Sequence, residues 1–179
     1  MYRSLSALGL KVLALTAVGI ALIAAPPAHA TAAGAHCVTW IRGQKASGEF
    51  VTDAPVCYQT FTQAMRAVGV DTSGLSSLSP ESLASAGRLQ TSTSSVIGIH
   101  YDGHNWTGAS MTVSGSDCSG GWLNVPPSWN DRISSTSNGC PRIRHFWDAN
   151  LSGTFQDTTG LGGNLSTLDN QTTSIQYLT

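Results

Sequence analysis

The sequence predicts a mainly β fold, an antiparallel sandwich or barrel with a small N-terminal α+β arm. Three observations lead there. After Ser95, short segments of alternating polarity follow one another: VIGIHY (96–101), ASMTVS (109–114), GWLNV, ISSTS, RIRHFW, GTFQD, NLSTL and SIQYL. Gly, Asn and Asp punctuate them, the pattern of about eight strands joined by tight turns. The series restarts at RIRHFW, which points to an internal duplication. Only 11% of the chain is charged, so Ser, Thr, Asn and Gly must fill most solvent-facing positions, a composition suited to short strands and turns.

The first thirty residues stand apart. Arg3 and Lys11 flank the start of the apolar run VLALTAVGIALIAA (12–25), and Ala28 and Ala30 form an A-x-A cleavage pattern. Residues 1–30 therefore read as a signal peptide, its apolar run too short for a membrane anchor. The expected product is secreted and extracellular, with no membrane partner. Nine Lys/Arg against ten Asp/Glu give a net charge of −1, and the basic residues form no cluster. A nucleic-acid partner is not expected.

Residues 31–90 are read as the arm and its linker. CVTWIRG (37–43) and EFVTDAPVCY (49–58) form an expected hairpin around a GQKASG loop. TFTQAMRAVG (60–69) reads as a short helix. Thr60 or Thr62 caps it, Phe61, Met65 and Val68 share a face, and Gly69 stops it. A Ser-rich linker follows, with one helical turn expected behind Pro80, and the sandwich is placed at 91–179. The four cysteines, Cys37, Cys57, Cys118 and Cys140, all follow the signal, and an even count in an exported chain predicts two disulfides. Of three pairings, Cys37–Cys57 and Cys118–Cys140 are favoured, because each falls within one compositional segment. Each closes a loop of about twenty residues, a constraint of roughly 3 kcal/mol. No C-x2-C or Cys/His spacing supports zinc.

The two halves align. Tyr101-DGHN-Trp106-Thr-Gly108 matches Phe146-WDAN-Leu151-Ser-Gly153: an aromatic, four residues, a bulky apolar residue, one residue, then glycine. Each half later presents an acid/amide pair and a hydroxyl pair, as Asn130-Asp131-Arg132-Ile133-Ser134-Ser135 and Asp169-Asn170-Gln171-Thr172-Thr173-Ser174. Residues 95–179 thereby resemble the microbial βγ-crystallin family, whose hallmark is Y/F/W-x4-F/Y/W-x-G followed by N/D-N/D-x-x-S/T-S. Leu151 departs from it at the second aromatic position. The resemblance implies a double Greek-key β-sandwich, with two sheets around one core.

It also implies two Ca²⁺ sites, each built from both motifs. The carried-over ligands are the side chains of Asp131 and Asn170 and the carbonyls of Arg132 and Gln171. The hydroxyls of Ser134 and Thr173 reach across to the partner motif's site. The carbonyls of Asp102 and Trp147, just after the corner aromatics, complete the shells, and Asn130 and Asp169 are ligands or braces. The donors suit the ion: Ca²⁺ is hard and takes six to eight oxygens at about 2.3–2.6 Å. The same residue types also make Asx-turns and cap backbone groups. Two copies, each behind its own aromatic–glycine corner, favour calcium over a purely structural turn.

Other candidates are weaker. His100 and His104 would not share a helical face, so a surface or packing role is favoured over zinc, and His145 is expected on the sheet surface. Trp40, Trp106, Trp122, Trp129 and Trp147 are expected as core and corner plates. The N-x-S/T sequences at Asn105, Asn150, Asn164 and Asn170 suit this composition without implying glycosylation. No G-x-S-x-G or H-E-x-x-H motif offers a catalytic centre, so a non-enzymatic, monomeric protein is expected. A rival reading comes from small secreted metalloproteinase inhibitors of this same fold. There the loop Ser116 to Gly121, beside Cys118, enters the cleft of an extracellular protease, a fold-level analogy.

Overall fold

The computed structural model describes residues 36–73, 90–91, 94–116 and 118–179. The expected signal peptide and the Ser-rich stretch after residue 73, including the turn expected behind Pro80, lie outside them. In chain order the first elements are β1 (His36–Gln44), β2 (Phe50–Thr52), β3 (Val56–Tyr58) and α1 (Phe61–Ala67). The first half follows as β4 (Gln90–Thr91), β5 (Ser94–Tyr101), β6 (Ser110–Ser114), β7 (Trp122–Asn124) and β8 (Ser135–Asn138). The second half is β9 (Arg142–Asp148), β10 (Ser152–Thr159), β11 (Gly162–Asn164) and β12 (Ser174–Leu178).

Among the described residues these strands make two sheets, one ordered β11-β8-β5-β6-β1-β2 and one β10-β9-β12-β7. One strand of each half leaves its own sheet: β7 pairs with β12 of the second half, and β11 with β8 of the first. This exchange gives the mainly β, double Greek-key sandwich that the resemblance implied. The inner faces meet in one apolar cluster that includes Ile97, Met111, Val113, Trp129, Ile133, Ile143, Leu165, Ile175 and Tyr177. Both halves supply its members, so neither half buries its apolar face alone.

The N-terminal hairpin, expected beside the sandwich, is built into its first sheet. β1 runs parallel to β6, from His36 opposite Ser110 to Trp40 opposite Ser114, and antiparallel to β2 and β3. A partner strand 74 residues away leaves no trace in local periodicity. Both favoured disulfides are present, Cys37–Cys57 between the paired β1 and β3, and Cys118–Cys140 between the β6–β7 loop and the turn that joins β8 to β9.

Helix α1 forms as its sequence dictates. Thr60 accepts from the Gln63 amide while the Gln63 side chain accepts from the Thr60 amide, a reciprocal cap. At the other end Gly69, at φ +74°, lets Val70 N–H reach back to the Met65 carbonyl, closing a Schellman turn. Met65, Ala64, Val68 and Val70 then cover Val38, Val96, Ile99 and Tyr101 on the outer face of the first sheet. That cover explains β5: residues 96–101 are buried on both faces, with Ile97 toward the sandwich core and Ile99 under α1. NLSTL also departs from expectation, since β11 ends at Asn164. Leu165 and Leu168 still reach the core, from a turn tied to Ser134 by the Leu165 amide.

Candidate metal centre

Each half places its hexapeptide beside an aromatic corner by the same bonds. Asn105 and Trp106 in the first corner, and Asn150 and Leu151 in the second, all take φ between +54° and +59°. Two left-handed residues in succession make the tight turn that asparagine tolerates well. Gly108 and Gly153 follow at φ +81° and +76°. A β-carbon on Gly108 would lie 2.1 Å from Asp102 Oδ1, and one on Gly153 2.5 Å from Asp148 Oδ2, so glycine is required for space as well as conformation.

The last serine of each hexapeptide fastens the corner. Ser135 Oγ donates to the Gly103 carbonyl at 2.6 Å and accepts from Trp106 N–H at 3.0 Å. Ser174 Oγ does the same with the Asp148 carbonyl and Leu151 N–H, at 2.6 and 3.0 Å. One residue earlier, Ser134 N–H bonds the Tyr101 carbonyl and Thr173 N–H the Phe146 carbonyl. Ser134 is thereby set beside Asp102, and Thr173 beside Trp147.

The hexapeptides then cross. Asp131 N–H donates to the Thr172 carbonyl and Asn170 N–H to the Ile133 carbonyl, each in the opposite motif. Asp131 and Asn170 occupy the same motif position and share φ of +57° and +55°. Their side chains meet the opposite motif's hydroxyls: Ser134 Oγ lies 3.3 Å from Asn170 Oδ1, and Thr173 Oγ1 3.5 Å from Asp131 Oδ1. Hydroxyl-to-oxygen hydrogen bonds normally close to about 2.7–2.8 Å. Two oxygens about 2.4 Å from a common Ca²⁺, at a right angle, stand roughly 3.4 Å apart. The donors and their spacing fit the ion.

The remaining expected ligands gather around these two cradles. Asn130 Nδ2 donates to Asp131 Oδ2 at 2.8 Å, and Asn170 Nδ2 to Asp169 Oδ1 at 3.3 Å, so Asn130 braces its neighbouring carboxylate. Asp169 Oδ2 lies 3.2 Å from His104 Nε2. Asp102 accepts the Ala109 amide on Oδ1 and Arg132 on Oδ2, at 2.7 and 2.8 Å. Arg132 also donates to the Ser128 carbonyl and lies over the Trp129 ring. Gln171, at the matching position in the second motif, leaves its buried Oε1 without a partner. Among the described residues no three His, Cys, Asp or Glu side chains gather as a metal cluster. An ion here would rely on amide, hydroxyl and carbonyl oxygens beside few carboxylates, such as Asp131.

No family model and no curated protein matches the chain. Solved structures to which it is similar are βγ-crystallin domains. One, from Clostridium beijerinckii, shares 19% identity, covering 46% of this chain and 99% of that one at a TM-score of 0.38. A second, from Flavobacterium johnsoniae, shares 23% over 45% of this chain and 91% of that one, with a TM-score of 0.35. A third belongs to Abundant Perithecial Protein of Neurospora crassa in its Ca²⁺-bound form, at 19% identity over 44% of this chain and 82% of that one, TM-score 0.36.

Several residues fall elsewhere than the sequence suggested. His145 is fully buried rather than on the sheet surface, because β9 turns it inward to Thr136. The Thr136 hydroxyl lies 2.9 Å from His145 Nε2 and 2.8 Å from His100 Nδ1, and His100 Nε2 lies 2.9 Å from the Tyr177 hydroxyl. Burial pushes His145 down to about 4 and His100 well below the usual imidazole value, with the His145 charge a lesser influence on His100. Trp129 is a core plate, but Trp147 is 47% exposed beside its corner. In the loop at Cys118, Gly120 and Gly121 are tied to β12 through the backbone of Tyr177.

Sequence reasoning missed the asparagine clasps. Asn164 Oδ1 accepts Asn105 N–H at 2.6 Å while its amide donates back to Asn105. Asn124 grips Asn150 in the same way, at 2.8 and 3.0 Å. Each clasp joins an exchanged strand, β11 or β7, to the corner of the opposite half. The signal was present in the paired segments LNV and GNL, where asparagine precedes a core residue between each corner and its hexapeptide.

Proposed function

We propose that this is a secreted, non-enzymatic calcium-binding protein, with two sites formed between its hexapeptides and stabilised by metal and two disulfides. One observation carries the reading. Each motif's hydroxyl stands 3.3–3.5 Å from the opposite motif's acid or amide oxygen, too far for a good hydrogen bond and suited to adjacent ligands of one ion. Asp131 and Thr173 with the Trp147 carbonyl would hold one ion. Asn170 and Ser134 with the Asp102 carbonyl would hold the other. Arg132 and Gln171 supply further carbonyls, and Asn130 and Asp169 brace or ligate. Bound Ca²⁺ supplies charge that binds the two halves' loops to each other.

With so few formal charges among the donors, dissociation constants of about 10⁻⁵–10⁻³ M are expected, from the weak limit of sensor sites through the range of extracellular modules. Calorimetric titration with calcium, followed by melting in calcium and in chelator, tests the reading. Two bound ions per chain and a rise in Tm are expected. No heat of binding and an unchanged Tm would overturn it.

A further inference from the structure

We propose that the two cradles are unequal and fill in order, Asp131–Thr173 first, with Arg132 holding the Asn170–Ser134 cradle to higher calcium concentrations. The inference rests on the calcium reading above and deepens it.

The backbone bonds and the cross-motif contacts are matched pair for pair, so the difference lies in charge. The Asp131–Thr173 cradle offers a carboxylate oxygen, and the Asn170–Ser134 cradle a neutral amide oxygen in the same place. The surroundings widen the gap. Beside Ser134, both nearby carboxylates already carry a basic partner: Asp102 holds Arg132 at 2.8 Å and Asp169 faces His104 at 3.2 Å. Beside Thr173, neither Asp131 nor Asp148 has a basic side chain at ion-pairing distance among the described residues. A divalent ion held at the Asp102 carbonyl, on the Asn170 side, therefore shares that residue with a guanidinium anchored by three contacts: the Asp102 carboxylate, the Ser128 carbonyl and the Trp129 ring. Like-charge repulsion between groups held by one residue costs about several-fold in affinity even where solvent screens it. Gln171 stands where Arg132 does in the other motif and brings no charge, so only one cradle carries this opposition.

The functional consequence is a graded response. The first ion joins the halves, and the second binds only when external calcium rises further.

The test is calorimetric titration of the wild-type chain and of three variants with calcium alone. The wild type should show two steps separated by about tenfold or more. Thr173→Ala should remove the tighter step, and Ser134→Ala the weaker one. Arg132→Gln should tighten the weaker step by roughly tenfold and draw the two steps together. Equal steps in the wild type, loss of the weaker step in Thr173→Ala, or an unmoved weaker step in a folded Arg132→Gln would overturn the ordering while leaving calcium binding standing. Should Arg132→Gln fail to fold, the assignment of steps by the other two variants decides the order. No binding by the wild type would instead remove the calcium reading itself, and the ordering with it.

Discussion

Met65 of α1 and Ile99 of β5 are both fully buried and belong to one cluster, so the arm and the sandwich share a core. Met65→Ala should therefore lower the melt of the whole chain, by about 2–5 kcal/mol, in one transition. An arm that melts alone, leaving the main transition where it was, would contradict this.

The corner glycines separate conformation from space. Gly108→Ala puts a methyl group onto the Asp102 carboxylate, which the Ala109 amide and Arg132 hold in place. Gly160 has a positive φ as well, +60°, but open space where its methyl group would go. Gly160→Ala should cost about 1 kcal/mol and Gly108→Ala about 2–3 kcal/mol. Equal losses, measured by denaturant in chelator, would show that the Asp102 contact has no weight.

Acid should weaken the sandwich through its two buried histidines. His145 titrates near 4 when folded and near 6.5 when unfolded, and His100 is also depressed. Between those values the unfolded chain binds the extra protons, so stability falls as pH drops from about 6.5 to about 4. The slope approaches 1.4 kcal/mol per pH unit for each histidine. Asp157, held below the usual carboxylate range by Arg144, acts only below that window. His145→Gln should flatten part of the fall in stability, measured in chelator to keep metal out of the comparison. An unchanged slope would sink the assignment.

How legible this was in the sequence follows from how local each cause is. The strands, the cap at Thr60, the stop at Gly69 and both disulfide pairings depend on neighbours a few to about twenty residues away. The hexapeptides were visible because the duplication prints each pattern twice. What stayed hidden depends on distant partners. β1 finds β6 across the rest of the arm and the linker, and α1 covers the outer face of β5. His145 was misplaced because its partner Thr136 lies on the exchanged-strand side of the first sheet. The asparagine clasps were present as letters but resembled ordinary turn residues until the strand exchange brought them to the corners.

The crossed contact of Ser134 with Asn170 is where the account is most exposed. The direct measurement is the melting temperature of Ser134→Ala in calcium and in chelator, beside the wild type. An ion that binds only the folded chain stabilises it by about 2.7 kcal/mol per site at a hundredfold excess over Kd. The account predicts that the variant loses part of the calcium-induced rise, while its melt in chelator stays close to that of the wild type. A serine that merely caps a turn contributes about 1 kcal/mol with or without metal. An equal drop in both conditions would contradict the cation cradle.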